Sequence, residues 1–172
     1  NADSMMNYPD FRSYERAFQL MAQVAGRAGR KNRQGLVVLQ TKSPDEPIIH
    51  QVVTNDYASL YKSQMEERSL FRYPPFYRLV YVYLKHRKED ILEQAATLMA
   101  GYLRNGMGER VLGPDKPPVA RIQTLYIKKI VVKIEQTASL AKVREYLLGV
   151  QQAIKEDERF RSLIVYYDVD PM

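Results

Sequence analysis

Tyr126-Ile-Lys-Lys-Ile-Val-Val-Lys-Ile-Glu135 has the side-chain alternation of a β-strand. Its even positions are Tyr126, Lys128, Ile130, Val132 and Ile134; its odd positions are Ile127, Lys129, Val131, Lys133 and Glu135. Successive strand side chains point to opposite faces, which puts Lys129 and Lys133 on one face, about 13 Å apart by strand rise. Helices covering the even face would leave those two lysines on an open one.

Working outward from this strand, the chain alternates. Tyr77 to Lys85 reads as a strand rich in valine and tyrosine, and Glu89 to Asn105 as a helix with Ile91, Ala95, Leu98 and Tyr102 along one stripe. Asn105-Gly106 is expected to end that helix. Val111-Leu112 and Val119 to Gln123 read as one strand interrupted by Gly113 to Pro118. Ser139 to Lys155 places Leu140, Val143, Leu147, Val150 and Ile154 at helical spacing, with Gly149 weakening the helix by about 1 kcal/mol. Phe160 to Val169 reads as the last strand. The order β-α-β-β-α-β predicts an α+β domain over residues 77–172, with two helices packed on one face of a four-stranded antiparallel sheet. This is the ferredoxin-like split βαβ arrangement.

The first 76 residues read differently. Asp10 or Ser13 can cap a helix in which Phe11, Tyr14, Phe18, Met21, Ala22 and Ala25 recur at helical spacing, with Gly26 and Gly29 ending it. Arg30 to Arg33 reads as a basic turn, and Gly35 to Gln40 as a short apolar strand. Residues 1–45 thus offer one helix and one strand, too little to form a lobe alone. A helical connector is expected over 46–76. A short helix covers Ile48 to Val53, and a second runs from Asn55 or Asp56 to about Leu70 with Tyr57, Leu60, Tyr61 and Met65 on its apolar side. Tyr73-Pro-Pro-Phe76 breaks it, because neither proline continues a helix.

Composition narrows the chemistry. The 172 residues are 45% hydrophobic, enough to build a core. Twenty-six Lys and Arg against 20 Asp and Glu leave a net charge of +6, which favours a polyanionic partner. With no cysteine and only His50 and His86, a disulfide framework, a thiol nucleophile and a Cys- or His-based metal site are not expected. No apolar run reaches membrane length, so no membrane partner is expected and cytoplasm is the default. Glu66-Glu67 and Glu156-Asp-Glu158 sit in polar stretches, and nothing in the sequence places them in a cleft for acid–base work.

Gln23-Val-Ala-Gly-Arg-Ala-Gly-Arg30 carries the sharpest chemical signal. Arg27 and Arg30 stand among glycines after a helical pattern. Arginine is an always-charged fork that suits phosphate oxygens, and glycine lets the backbone turn beside a bulky anion. The pattern alone also fits a basic loop with no catalytic task. The wider context decides. Pro9-Asp-Phe-Arg12, Glu15-Arg16, Gln19-Leu20 and then this stretch resemble the last helicase motif of superfamily-two DNA helicases. More narrowly they resemble the bacterial primosomal replication-restart helicases, the primosomal protein N-prime (PriA) family. Leu70 to Phe76, Val111-Leu-Gly-Pro114 and Asp168-Val-Asp-Pro171 continue the resemblance in the family's order over nearly the whole chain.

The resemblance implies a C-terminal piece of a longer ATP-dependent, 3′→5′ DNA helicase that acts at stalled or branched forks and restarts replication. Residues 1–45 would close a RecA-like second helicase lobe, and 77–172 would be a DNA- and partner-binding domain likened to a ribosomal-protein fold. Gln23, Gly26, Arg27 and Arg30 would meet the nucleotide, with Arg27 and Arg30 reaching the γ-phosphate as catalytic arginines. ATP and magnesium would serve the parent, and zinc would be bound upstream; none is expected on this piece. No G-x-x-x-x-G-K-[ST] loop occurs in the chain, so ATP hydrolysis by it alone is not expected. The implied partners are single-stranded and forked DNA, the acidic tail of single-strand DNA-binding protein, and primosome proteins, in a nucleoid-associated setting.

Lys128, Lys129 and Lys133 are the candidate DNA contacts, with Tyr81 and Tyr83 able to join from the neighbouring strand. Lysines and tyrosines on an open sheet can track phosphates and stack bases; equally, the lysines can solubilise the face while the tyrosines form cross-strand pairs. Tyr73 to Phe76 can serve as a docking surface or as an ordered hinge. Lys142 and Arg144 can meet an acidic peptide or lie on a solvated helix face. Asp168 and Asp170 are expected to cap backbone groups around Pro171. A non-enzymatic interaction module with little DNA contact stays open beside these readings. So does an RNA-binding sheet, although that leaves Gln23 to Arg30 unexplained.

Overall fold

The computed structural model describes residues 2–28 and 35–171, which form two compact units, 1–71 and 72–172. Each has its own core. In the first unit, α1 (Ala2–Met6), α2 (Ser13–Ala28), α3 (Pro47–Val53) and α4 (Tyr57–Leu70) bury Met6, Phe18, Met21, Ile48, Ile49, Val52 and Leu60 together. Sequence patterning gives no sign of α1, which is only five residues long. Asp3 ties it to the chain beyond α2, accepting from the Thr41 hydroxyl at 2.5 Å and from the Lys42 backbone at 3.1 Å.

Helix α2 runs through Gly26 rather than stopping there. Gly26 is exposed with open space around it, and the glycine penalty of about 1 kcal/mol does not end a helix whose other side is packed. The expected strand at Gly35 to Gln40 is not one: these residues pair with no strand, and Leu36 is 88% exposed. An apolar run becomes a strand only when a neighbouring strand takes its backbone groups in series. Here the Ala2 N–H donates to Gln40 O at 3.1 Å, and no ladder forms with the described residues. Asp56 caps α4 by accepting from the Ser59 backbone at 3.0 Å. Its core side is Leu60 and Gln64; Tyr57 and Tyr61, expected inside, are about half exposed.

The second unit is a sheet with two helices on one face. Its elements are β1 (Tyr77–His86), α5 (Glu89–Met107), β2 (Val111–Asp115), β3 (Arg121–Ile122), β4 (Leu125–Glu135), α6 (Leu140–Glu156) and β5 (Ile164–Val169). All strand pairs are antiparallel, in the order β2-β4-β1-β5 with β3 also on β4. Ranked along the chain without β3, this is the 4-1-3-2 order of a split βαβ fold. Five strands stand where four were expected, because the interrupted strand is two: β2 ends at Asp115 and β3 begins at Arg121. The last strand starts at Ile164, and Phe160 belongs to a 3-10 turn that inserts its ring into the core.

The even face of β4 is the covered one. Ile130, Val132 and Ile134 pack with Val80, Val82 and Leu84 of β1 against α5 and α6. Helix α5 turns Leu92, Ala96, Met99 and Leu103 inward and runs two residues past Asn105. Of the stripe expected there, Ala95 is buried and Ile91 packs against the core, while Leu98 and Tyr102 are exposed. The actual stripe has the same helical spacing and gathers the leucines and methionines that gain most from burial. On α6, Leu147, Val150 and Ile154 are buried as expected, while Leu140 lies at the exposed start. The Tyr167 hydroxyl donates to Leu147 O at 3.1 Å and lies 2.9 Å from Gln151 Oε1; burial pushes its pKa up to about 12. Asp170 caps backbone as expected, but on β1: it accepts from the Leu79 backbone at 3.2 Å while its own N–H donates to Leu79 O.

Candidate nucleic-acid interface

Strand register determines which side chains meet on the face that α5 and α6 leave open. Tyr83 stands opposite Lys129 on β4 and opposite Tyr166 on β5. Tyr81 stands opposite Val131 and Asp168, and Lys85 opposite Ile127 and Ile164. Cross-strand partners share a face, so Tyr81, Tyr83, Lys85, Lys129 and Tyr166 lie together on the open side.

Their rings and ammonium groups form one connected cluster. The Tyr83 and Tyr166 rings stack with centroids 4.9 Å apart and planes 13° apart. Tyr81 meets Tyr83 edge-on at 6.2 Å. Lys129 Nζ lies 4.5 Å from the Tyr81 ring centre, and Lys85 Nζ lies 4.6 Å from that of Tyr166. Cation–π contacts at such sites are worth about 0.5–1 kcal/mol each, enough to bias where a flexible lysine holds its charge.

The two other candidate lysines have different surroundings. Lys133 is on the same face, but it is only 8% exposed, and its Nζ sits 3.8 Å from the Tyr73 ring centre. Burial, together with the charge of Arg72, draws its pKa below the ordinary lysine value. Tyr73 thus packs onto this end of the sheet, and Pro75 O accepts from Gln136 Nε2 at 2.8 Å. Lys128 is on the helix-covered face, 8% exposed, with its Nζ 2.6 Å from Glu93 Oε1. Asp168 is exposed on the open face opposite Tyr81, and Asp115 of β2 stands opposite Lys129, so carboxylates flank the lysine–tyrosine cluster.

Gln23, Gly26 and Arg27 lie on the exposed last turns of α2. Gln23 and Arg27 are four residues apart and therefore neighbours on the helix surface. Arg30, Gly29 and the expected basic turn lie outside the described residues. On α6, the Lys142 backbone N–H is capped by Ser139 Oγ, and Arg144 stands at the rim of an apolar cleft of about 390 Å³ beside Leu147 and Tyr167. Among the described residues no three His, Cys, Asp or Glu side chains converge as metal ligands, and no helix is long and apolar enough to cross a membrane.

Residues 69–172, a stretch covering all of this sheet and its helices, match the family profile described as primosomal protein N C-terminal domain. The chain belongs to that family. Over 99% of its length it is also 34% identical to the replication restart protein PriA of Bacillus subtilis (strain 168), and 34% identical to that of Haemophilus influenzae. The corresponding PriA of Synechocystis is 32% identical over the same share. The chain spans only about a fifth of the length of these curated relatives: 21%, 23% and 20%. The alignments extend well before residue 69, so the helical unit is shared with these relatives as well as the sheet.

Sequence reading found Lys129, Lys133, Tyr81 and Tyr83 but missed Lys85 and Tyr166. Both were legible as strand residues. Lys85 shares the odd positions of β1 with Tyr81 and Tyr83, so alternation within that strand already places it on their face. Tyr166 joins them only through the β1–β5 register, which alternation within a single strand does not reveal.

Proposed function

We propose that the open sheet face of residues 72–172 is a DNA-binding surface of a replication-restart helicase. The observation that carries this reading is the pairing of Lys129 with Tyr81 and of Lys85 with Tyr166, next to the stacked Tyr83, on the sheet face away from the helices. Lysines held over rings present fixed positive charge to a phosphate backbone. The relatives are replication restart proteins, which act where DNA is the substrate, and the net charge of +6 favours a polyanion.

In the longer protein this chain would add the second element of an ATP-driven 3′→5′ motor. Gln23, Gly26, Arg27 and Arg30 would face the nucleotide, and the two guanidinium groups would stabilise charge on the transferring γ-phosphoryl group. The exposed position of Gln23 and Arg27 at the end of α2 supports that role, since both can reach a ligand outside their own core. Magnesium and zinc would be held by segments other than this one. Forked DNA, single-strand DNA-binding protein and primosome proteins are the partners this reading brings, in the cytoplasm beside the nucleoid.

Fluorescence anisotropy with labelled single-stranded DNA over a salt series tests the reading. Neutralising two phosphates, one for each of Lys85 and Lys129, gives a slope of log affinity against log salt of about −1.4. Lys85→Ala with Lys129→Ala is expected to flatten that slope and weaken binding. Salt-insensitive binding, or a double variant that behaves as the wild type, would favour a docking module instead.

A further inference from the structure

The tyrosines of an open nucleic-acid-binding sheet are ordinarily read as platforms on which bases stack. The geometry here points elsewhere. Every ring of the cluster already has a partner of its own: Tyr81 holds the Lys129 ammonium, Tyr166 holds both the Lys85 ammonium and the Tyr83 ring, and Tyr83 also takes the edge contact with Tyr81. A base stacking on Tyr81 or Tyr166 would have to displace a lysine or prise the tyrosine pair apart. A phosphate displaces nothing, because an ammonium resting on a ring still has N–H donors to offer outward.

We propose that Tyr81 and Tyr166 are seats that position Lys129 and Lys85, and that this face holds a nucleic-acid strand through its phosphates without stacking its bases. The inference rests on the DNA-binding reading and narrows it from nucleic acid to the phosphodiester backbone. The flanking carboxylates fit this picture. Asp168 opposite Tyr81 and Asp115 opposite Lys129 repel phosphate at the two sides and leave the lysine lane between them as the track. Tyr81 and Tyr166 are positioning residues on this account, acting through the lysines.

The test uses the whole chain with two labelled strands of equal length and equal phosphate count, a thymidylate oligomer and the same oligomer built from abasic sites. Affinities within about twofold of each other, with the same salt slope, are expected. Tyr81→Ala should weaken both strands by the same factor, since it unseats Lys129 for either. An abasic strand bound about tenfold or more weakly would overturn the inference, because lost stacking has that size per base. A Tyr81→Ala loss confined to the base-bearing strand would also overturn it. The Lys85→Ala/Lys129→Ala variant separates the two levels. If it weakens both strands while the abasic strand is disfavoured, the site stands and only the phosphate-only inference falls. If it binds both strands as the wild type does, or if the wild type binds neither, the site itself is wrong and the inference falls with it.

Discussion

Lys128 Nζ lies 2.6 Å from Glu93 Oε1 beneath α5, while the next residue in the chain, Lys129, rests its ammonium over Tyr81 on the opposite face of the sheet. Two adjacent lysines in one strand therefore do different work, one holding a helix to the sheet and the other facing outward.

Substitution should separate these roles. Lys128→Ala removes an ion pair whose carboxylate is still partly solvated, so a stability loss of about 1 kcal/mol is expected with DNA affinity unchanged. Lys129→Ala should show the reverse. Urea denaturation and anisotropy on the same two samples check this, and equal DNA losses in both variants would contradict it.

The core of the second unit is centred on β4. Ile130 is fully buried between β1 and the helices, and Ile130→Ala is expected to cost about 2–5 kcal/mol through lost burial and a residual cavity. Val131, its partly exposed neighbour on the open face, should cost under half as much when cut to alanine. Chemical denaturation midpoints for the pair check the facing of the strand.

That facing was legible in the sequence because Ile130, Val132 and Ile134 recur at every second position while Lys129, Lys133 and Glu135 hold positions between them. The α5 stripe was harder. Ile91-Ala95-Leu98-Tyr102 and Leu92-Ala96-Met99-Leu103 both have helical spacing. Ile91 and Ala95 of the first do meet the core, but packing against β1 and β4 centres the buried face on the second and leaves Leu98 and Tyr102 outside. Lys85 was legible by alternation within β1, two and four residues beyond Tyr83 and Tyr81. Tyr166 was not, because its place in the cluster depends on the β1–β5 register. The apolar run at Gly35 to Gln40 had strand composition without a strand partner, and composition does not supply one. The nucleotide-facing residues came from resemblance: the surroundings of Gln23 and Arg27 on an exposed helix end would not single them out.

Gly101 of α5 and Gly149 of α6, like Gly26 of α2, have room for a side chain. A Cβ at Gly101 or Gly149 would meet nothing within 4 Å. Gly101→Ala and Gly149→Ala are each expected to stabilise the chain by about 0.5–1 kcal/mol, the helix-propensity gain. At Gly106 the added carbon would strike the Tyr146 ring at 2.4 Å and press on its hydroxyl bond to Tyr102 O, so Gly106→Ala should gain less than the other two. Thermal unfolding of the three variants ranks them.

Tyr167 makes stability depend on alkaline pH. Its buried phenol titrates at about 12, whereas in the unfolded chain it titrates near 10. Between those values the folded chain keeps a proton that the unfolded chain has lost, so stability falls as pH rises through the window. Tyr167→Phe should remove that part of the slope. Near neutral pH it should cost about 1 kcal/mol, because the Leu147 carbonyl and Gln151 lose their hydroxyl partner. Urea midpoints across the pH series test both effects.

The account's central claim is that DNA lies on the open sheet face. Reductive methylation of lysines with and without single-stranded DNA, read by mass spectrometry, tests it most directly. The account predicts protection of Lys85 and Lys129, with Lys142 and Lys155 on α6 modified at unchanged rates. Protection of the α6 lysines with Lys85 and Lys129 unaffected would contradict it.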